Sequence, residues 1–177
     1  GALSATTTGD LNTALGFNAL ATNVQGDRSV AIGYQALVTQ NPSGNADMYN
    51  TAVGFNAMNA TTTGTENTAV GAQSLDANTT GSNNTAVGKD ALGANITGND
   101  NVAVGYDALA ANTTGASNVA MGNNALDANT TGTRNVATGV HALGGNTTGA
   151  DNIGIGYEAL KVNETSSNNI AIGAYSF

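Results

Sequence analysis

Glycine recurs along this chain at an almost constant spacing of 17 residues. We call the ten glycines that share this spacing the anchor glycines: Gly16, Gly33, Gly54, Gly71, Gly88, Gly105, Gly122, Gly139, Gly156 and Gly173. Eight of the nine intervals between them are 17 residues long and one is 21. A fixed period over the whole length is typical of repeat architectures, so residues 1–177 are predicted to form a single repeat domain.

The repeated segment predicts β-structure and excludes a helical hairpin. Residues 84–92 read Asn-Thr-Ala-Val-Gly-Lys-Asp-Ala-Leu, and an Asn-Ile-Thr-Gly segment follows shortly afterwards. Asn, Thr and Gly are poor helix formers, and the apolar residues lack the i, i+3, i+4, i+7 spacing of a helix. Each repeat is therefore predicted to hold two short strands joined by turns. We predict an all-β fold, a parallel β-solenoid of about ten 17-residue coils.

Stacked coils place equivalent residues in ladders about 4.7–4.9 Å apart. We predict inner ladders of large aliphatic residues (Val87, Val104, Met121) and of leucines (Leu92, Leu109, Leu126), and a ladder of asparagine amides at Asn67, Asn84, Asn101, Asn118 and Asn135. Alternation along a strand then puts the alanine before each aliphatic residue on the opposite face. This predicts an exposed alanine face, which either is simply tolerated in water or packs laterally against another subunit, formed by Ala52, Ala69, Ala86, Ala103, Ala120 and Ala137.

Composition argues against several classes of function. Only 9 % of the residues are charged and the formal net charge is −8, whereas nucleic-acid binding requires basic surfaces. No uninterrupted apolar segment of about 18 residues occurs, so no membrane span is expected. Cysteine is absent, which excludes disulfides but is compatible with export.

No catalytic or metal-binding constellation is apparent in the sequence. His141 is the only histidine and occupies a repeat position that is polar in other coils. Asp90 and Asp107 share that position in successive coils, so their carboxylates are expected to stack along a solvated acidic stripe. Paired carboxylates can bind a cation or transfer protons. The repeat context favours the solvated stripe, and we predict a protein that is not an enzyme and has no cofactor and no metal.

Eight asparagines match the Asn-x-Thr acceptor pattern for N-glycosylation. They are Asn59, Asn78, Asn83, Asn95, Asn112, Asn129, Asn146 and Asn163. Most of them fall on the predicted turn of the repeat, and turn chemistry explains them without a glycan.

The repeat is interrupted once, between Gly33 and Gly54. Four extra residues lie within residues 38–49, a segment that also contains the only proline. Insertions in solenoids bulge on one face and often mark binding surfaces. Five residues in and beside this coil form a candidate patch: Phe17, Tyr34, Pro42, Tyr49 and Phe55. Two interpretations remain open, a locally stabilising aromatic ladder and a contact patch for a partner subunit or ligand.

The two ends of the sequence are complementary parts of one coil. The segment Gly1, Ala2 and Leu3 matches positions after an anchor glycine, and the chain stops four residues after Gly173. Open strand edges recruit other chains. The residues predicted to form self-assembly ends are Gly1, Ala2, Leu3, Ile170, Ile172 and Phe177.

Two of the repeats resemble a known family of surface proteins. Residues 29–33 read Ser-Val-Ala-Ile-Gly and residues 169–173 read Asn-Ile-Ala-Ile-Gly, which is similar to the Asn-Ser-Val-Ala-Ile-Gly motif of trimeric autotransporter adhesin heads. The longer Asn-Thr-Ala-Val-Gly-x-x-Ala-Leu unit resembles repeats of phage tail fibres. The resemblance implies a left-handed roll, three associated chains, a position on a cell surface or virion, and binding to a surface receptor or glycan.

These observations lead to one principal hypothesis and two alternatives. The principal hypothesis is a non-catalytic subunit of an extracellular fibre that polymerises head to tail by stacking its half-coils. The first alternative is the shaft or head of a trimeric adhesin or tail fibre. The second is an ice-binding protein, suggested by threonine pairs at residues 79–80, 113–114, 130–131 and 147–148.

Overall fold

The chain folds into strands and turns without any helix. The computed structural model describes residues 1–177 and contains no helix long and apolar enough to cross a membrane. Its twelve strands are β1 Thr13–Leu15, β2 Gly26–Asp27, β3 Val30–Ile32, β4 Ala46–Asp47, β5 Thr51–Val53, β6 Thr68–Val70, β7 Thr85–Val87, β8 Val102–Val104, β9 Val119–Met121, β10 Val136–Thr138, β11 Ile153–Ile155 and β12 Ile170–Ile172.

Ten of these strands form one parallel sheet that runs the length of the molecule. Its order is β1-β3-β5-β6-β7-β8-β9-β10-β11-β12, and β2 pairs separately with β4 beside the insertion. Each residue pairs with its copy one repeat later, as Ala86 does with Ala103. The parallel β-solenoid predicted from the glycine spacing is therefore confirmed, with about nine coils. The left-handed sense stays a prediction.

Each regular coil holds one strand, so the prediction of two strands per coil is wrong. The second half of the coil is a series of turns, in which the backbone repeatedly adopts left-handed angles. In the coil after Gly105, Asp107 has φ 53° and Leu109 has φ 54°. A β-strand requires φ near −120°. Because these residues turn the chain sharply, the coil returns to the sheet within a few residues. A second strand therefore does not form.

The side chains of the strands point in the directions opposite to those predicted, with the alanines inside and the larger aliphatic residues outside. Every alanine of the predicted lateral face, Ala52, Ala69, Ala86, Ala103, Ala120 and Ala137, is fully buried in the core. The aliphatic ladder lies outside, with Val87 37 % and Met121 45 % exposed. Predictions of an exposed alanine face and of an inner valine ladder are therefore wrong.

The thinness of the coil explains this orientation. At Gly154, which replaces the strand alanine in one coil, an added Cβ would lie 3.1 Å from Cγ of Leu143. Leucines from the opposite wall thus reach almost to the strand backbone and leave space for a methyl group only. The predicted leucine ladder is confirmed, since Leu92, Leu109 and Leu126 are fully buried. The core consists of alanine and leucine ladders with Met58 in one leucine position.

We expect Ser117→Asn to stabilise the protein by about 0.5–1 kcal/mol, because left-handed backbone costs asparagine less than most residues. Ser117 is exposed and has φ 59°. Asn83 and Asn168 occupy the equivalent position in other coils, with φ 59° and 63°. Urea denaturation of the two proteins measures the difference. An unchanged or lower midpoint would contradict a cost of left-handed backbone at this position.

Candidate assembly surface

The outer side of the ten-stranded sheet is an uncovered row of mostly apolar side chains. We call it the outer strand face and define it as the first and third residues of each strand. The third residues are Leu15, Ile32, Val53, Val70, Val87, Val104, Met121, Thr138, Ile155 and Ile172, and the first residues are threonine, valine or isoleucine. None is charged. Ten rungs at about 4.8 Å make this face roughly 43 Å long.

An aromatic stack borders one edge of the outer strand face. The residues directly after the anchor glycines form this edge, which we call the aromatic flank. Ring centroids of Phe17 and Tyr34 lie 5.6 Å apart, and those of Tyr34 and Phe55 lie 5.3 Å apart. The interplanar angles are 13° and 10°, so the rings are stacked. This confirms the predicted aromatic ladder, and all three side chains are exposed.

The opposite edge is formed by the residues five positions before each anchor glycine. This polar flank consists of Leu11, Arg28, Tyr49, Glu66, Asn83, Asp100, Ser117, Arg134, Asp151 and Asn168. All of them adopt left-handed backbone angles. Within the row, Arg134 binds Asp151 in the next coil through two hydrogen bonds of 2.7 Å each. The hydrogen bond from Arg134 lowers the pKa of the Asp151 carboxyl.

Residues of the insertion extend the polar flank beside Arg28. Arg28 Nε lies 2.6 Å from Asp47 Oδ1, and the Tyr49 hydroxyl donates to Asp47 Oδ2 at 3.1 Å. The hydrogen bond from Arg28 is the main reason that the pKa of Asp47 is lowered. These contacts attach the insertion to the preceding coil.

The candidate patch of five residues is not brought together as one surface. Phe17, Tyr34 and Phe55 lie on the aromatic flank, whereas Tyr49 lies on the polar flank at the other end of the strands. Pro42 is buried, so its predicted place in an exposed patch is wrong. Its apolar ring is excluded from water instead of lining a surface.

The predicted asparagine ladder is present and holds the coils together from inside. Asn84 Nδ2 donates to Asn67 Oδ1 at 3.1 Å and to the Gly98 carbonyl at 2.9 Å. Its backbone N–H donates to the same Asn67 oxygen at 3.0 Å. The pattern repeats in successive coils, and the side chains are buried. Buried amides of this kind stabilise a fold only when all their donors and acceptors are paired.

A second asparagine ladder was missed by sequence reasoning. It lies seven residues after the anchor glycines, at Asn23, Asn78, Asn95, Asn112, Asn129, Asn146 and Asn163, and all of these residues are buried. Asn112 Nδ2 donates to Asn95 Oδ1 at 2.9 Å and to the Gly115 carbonyl at 3.0 Å. Recurrence of asparagine at the 17-residue period was visible in the sequence and could have revealed this ladder. The interpretation as turn residues concealed it.

Both ladders change in the coil that carries the insertion and in the coils on either side of it. Ser29 stands in the first ladder, and Gln40 and Thr61 stand in the second. The longer Gln40 side chain reaches across the core, where its Oε1 accepts from Ser29 Oγ at 3.2 Å and Asn50 Nδ2 at 2.9 Å. Gln40 Nε2 and Thr61 Oγ1 are buried without partners. The insertion coil and the coil after it are therefore the least completely hydrogen-bonded part of the interior.

The ionisable residues outside these ladders are dispersed over the surface. His141 is half-exposed and borders an open depression with Asp127, Lys161 and Glu164. No group of three or more His, Asp or Glu side chains is arranged to hold a metal ion. Asp90 of the predicted acidic stripe forms an ion pair with Lys89.

The threonine pairs of the turn have two different environments. The first threonine of a pair donates its hydroxyl to the backbone of the next coil, as Thr113 does to the Thr130 carbonyl at 3.1 Å. The second threonine, such as Thr114, is exposed. The threonine pairs therefore present one fully exposed row of threonine side chains, whereas an ice-binding face is expected to present two.

The residues predicted as self-assembly ends lie in the first and last coils. Gly1 and Ala2 are exposed and Leu3 is half-buried. Ile170, Ile172 and Phe177 are among the most exposed apolar side chains of the molecule. Their role in self-assembly stays a prediction.

Comparison with protein-family models, with curated proteins and with solved structures finds no match to this chain. The fold therefore defines its class, a β-solenoid repeat protein with a parallel sheet and a 17-residue period. Similarity to trimeric adhesin heads and to tail-fibre repeats stays a prediction.

Proposed function

We propose that the chain is a non-catalytic structural subunit of an extracellular fibre, and that parallel copies associate side by side through the outer strand face. The observation that carries the proposal is the absence of any charged residue from this face in all ten strands. Monomeric proteins rarely leave a long apolar row exposed to water. The extracellular location follows from the resemblance to surface and tail-fibre proteins.

A second copy of the chain is the partner that fits this surface best. A partner must present apolar groups that match rungs about 4.8 Å apart over the length of the face. Another copy has the same rung spacing, so its valines and isoleucines can interdigitate along the whole row. The face is only three residues wide, whereas a stable interface buries roughly 800 Å² per partner, so we expect the flanks to contribute contacts.

The two flanks are complementary when copies are parallel and in register. At the rung of Gly33 the polar flank carries Arg28 and the aromatic flank carries Tyr34, a combination suited to a cation–π contact. At the rung of Gly54 the corresponding residues are Tyr49 and Phe55, a pair of aromatic rings. Contact between the polar flank of one copy and the aromatic flank of the next is heterologous, and such contacts form a ring of copies when the rotation from each copy to the next closes.

Head-to-tail stacking through the half-coils is the rival arrangement, and one contact disfavours it. The turn glycines lie against the next coil, and a Cβ at Gly9 would be 2.7 Å from the Gly26 carbonyl oxygen. Ser166 occupies the equivalent position in the last complete turn and carries such a Cβ. A further coil stacked on Ser166 would have to shift its backbone at this turn.

The triple variant Val87→Lys, Val104→Glu, Met121→Lys tests lateral association. Opposite charges on neighbouring rungs pair within one chain, so the coils stay stacked, while burying these charges between copies is unfavourable. The matched control, Thr97→Lys, Thr114→Glu, Thr131→Lys, places the same charges on the exposed turn side. Light scattering coupled to size exclusion measures the mass of each protein.

We expect the original protein and the control to form a discrete oligomer, with 3 × 17.4 kDa for a trimer, and the strand-face variant to be a monomer. An oligomer that survives in the strand-face variant would overturn lateral association. A polymer that grows with concentration and is insensitive to the strand-face charges would instead support head-to-tail stacking.

A further inference from the structure

Six of the eight Asn-x-Thr acceptors place their asparagine in the second buried ladder. They are Asn78, Asn95, Asn112, Asn129, Asn146 and Asn163. In the last five, Nδ2 makes two hydrogen bonds, one to the asparagine of the preceding coil and one to a turn carbonyl. For Asn129 these bonds are 2.8 Å to Asn112 Oδ1 and 3.1 Å to the Gly132 carbonyl. Both Nδ2 hydrogens are therefore in use.

N-glycosylation at these positions is incompatible with the folded solenoid. The transferase forms a bond from Nδ2 to C1 of a sugar, while the lipid diphosphate that carried the sugar leaves and one Nδ2 proton is lost. One ladder hydrogen bond is lost with that proton. The space is also closed, since a single Cβ at Gly115 would lie 2.9 Å from Asn129 Nδ2. A sugar ring cannot occupy a site with no room for a methyl group.

The other two acceptors lie outside the ladder. Asn83 is exposed on the polar flank, and its Nδ2 makes one hydrogen bond, of 3.2 Å, to Asp100 Oδ1. Asn59 is half-buried, and its Nδ2 has one long contact of 3.5 Å to the Gln35 carbonyl. In the single folded chain, a glycan on Asn83 would extend into solvent without disturbing the coil.

We infer that this chain is built to fold in a cell or compartment where no N-glycosyltransferase meets the unfolded chain, and that Asn83 is the acceptor site a folded molecule tolerates best. The transferase acts on chains that have not yet folded, when all eight acceptors are accessible. Modification of any ladder asparagine at that stage would block the stacking of its coil. The part of the inference that concerns the ladder asparagines depends only on the interior of the coil and is independent of the proposed assembly, whereas the tolerance of a glycan at Asn83 applies to the single folded chain, because Asn83 lies on the polar flank.

Secretion from a mammalian cell line tests the inference, with production in bacterial cytoplasm as the reference. The matched variant removes the six ladder acceptors without touching the asparagines. It carries Thr→Ala at the third position of each one, namely at Thr80, Thr97, Thr114, Thr131, Thr148 and Thr165, all of which are exposed. Peptide mass spectrometry locates the glycans, and circular dichroism with proteolysis reports the fold.

We expect both proteins to fold alike when made in bacteria. From the mammalian cells we expect the original chain to carry glycans at ladder asparagines and to be secreted at a yield lower by about tenfold than the variant, because misfolded chains are degraded. The variant is expected to be secreted folded, with a glycan at Asn83. Secretion of the original chain in folded form, with or without glycans on the ladder asparagines, would overturn the inference.

Discussion

Gly122→Ala is expected to destabilise the protein by about 3 kcal/mol or more, the sum of a strained backbone and an unrelieved contact. Gly122 has φ 141°, a conformation open almost only to glycine. A Cβ at this position would also lie 2.6 Å from the carbonyl oxygen of Gly139 in the next coil. The atom in the way, the Gly139 carbonyl oxygen, belongs to backbone that is stacked between two neighbouring coils. It therefore cannot move aside as the end of a flexible side chain would.

Gly93→Ala is the matched control for this experiment. Gly93 lies in a turn where neighbouring coils carry Asp76 and Ala110, so the backbone there already accommodates a Cβ. We expect the control to change stability by less than about 1 kcal/mol, as most surface substitutions do. Urea denaturation followed by circular dichroism compares the two variants. Equal midpoints for Gly122→Ala and the original protein would show that anchor glycines are not required by the coil geometry.

Asn101→Ala is expected to cost about 3–5 kcal/mol, because it leaves several buried groups of the first ladder without partners. Asn101 Nδ2 donates to Asn84 Oδ1 at 3.1 Å and to the Gly115 carbonyl at 2.9 Å. Its Oδ1 accepts from the backbone N–H of Asn118 at 3.0 Å. Removal of the amide also leaves a cavity in a closely packed interior. The midpoint of urea denaturation measures the loss.

Asn101→Asp distinguishes lost hydrogen bonds from a lost volume, since the two side chains have the same shape. An ionised carboxylate cannot donate to the oxygens of Asn84 and Gly115 and would be buried among acceptors, so the pKa of this carboxyl should be raised in the folded state. A raised folded pKa means that the folded protein binds the proton more tightly, so stability falls as pH rises.

We therefore expect the aspartate variant to be strongly destabilised at pH 7 and partly restored near pH 4, since protonation returns one donor. The original protein measured at both pH values is the reference. If the difference between variant and original were the same at both pH values, the ladder amides would not be required as donors.

The repeat period and the identity of most ladders could be predicted from the sequence alone. Glycine at 17-residue spacing fixes the number of residues per coil, and a residue that recurs at that spacing must stack on its own copies. This is why the Asn84 and Leu92 ladders and the aromatic stack beginning at Phe17 were predicted correctly. Periodicity identifies which residues share a row, whatever the shape of the coil.

The direction in which the strand faces could not be predicted in the same way. Alternation separates Ala86 from Val87 but does not say which of them points inward. The usual preference for burying the larger apolar side chain predicts valine inside, and that expectation failed here. The decisive quantity is the distance between the two walls of the coil, which is set by left-handed turns at residues such as Leu109. As a result the candidate assembly surface moves from the alanine row to the valine row.

The presence of Gln40 and Thr61 at positions where other coils carry ladder asparagines has a consequence for how the solenoid unfolds. Each coil contacts only its neighbours, so stability is transmitted along the axis from one interface to the next. We expect the interface around Gln40 and Thr61, where buried donors lack partners, to be the weakest of the series. The molecule should then unfold as a short cooperative unit before the insertion and a long one after it, with the first able to unfold while the second stays intact.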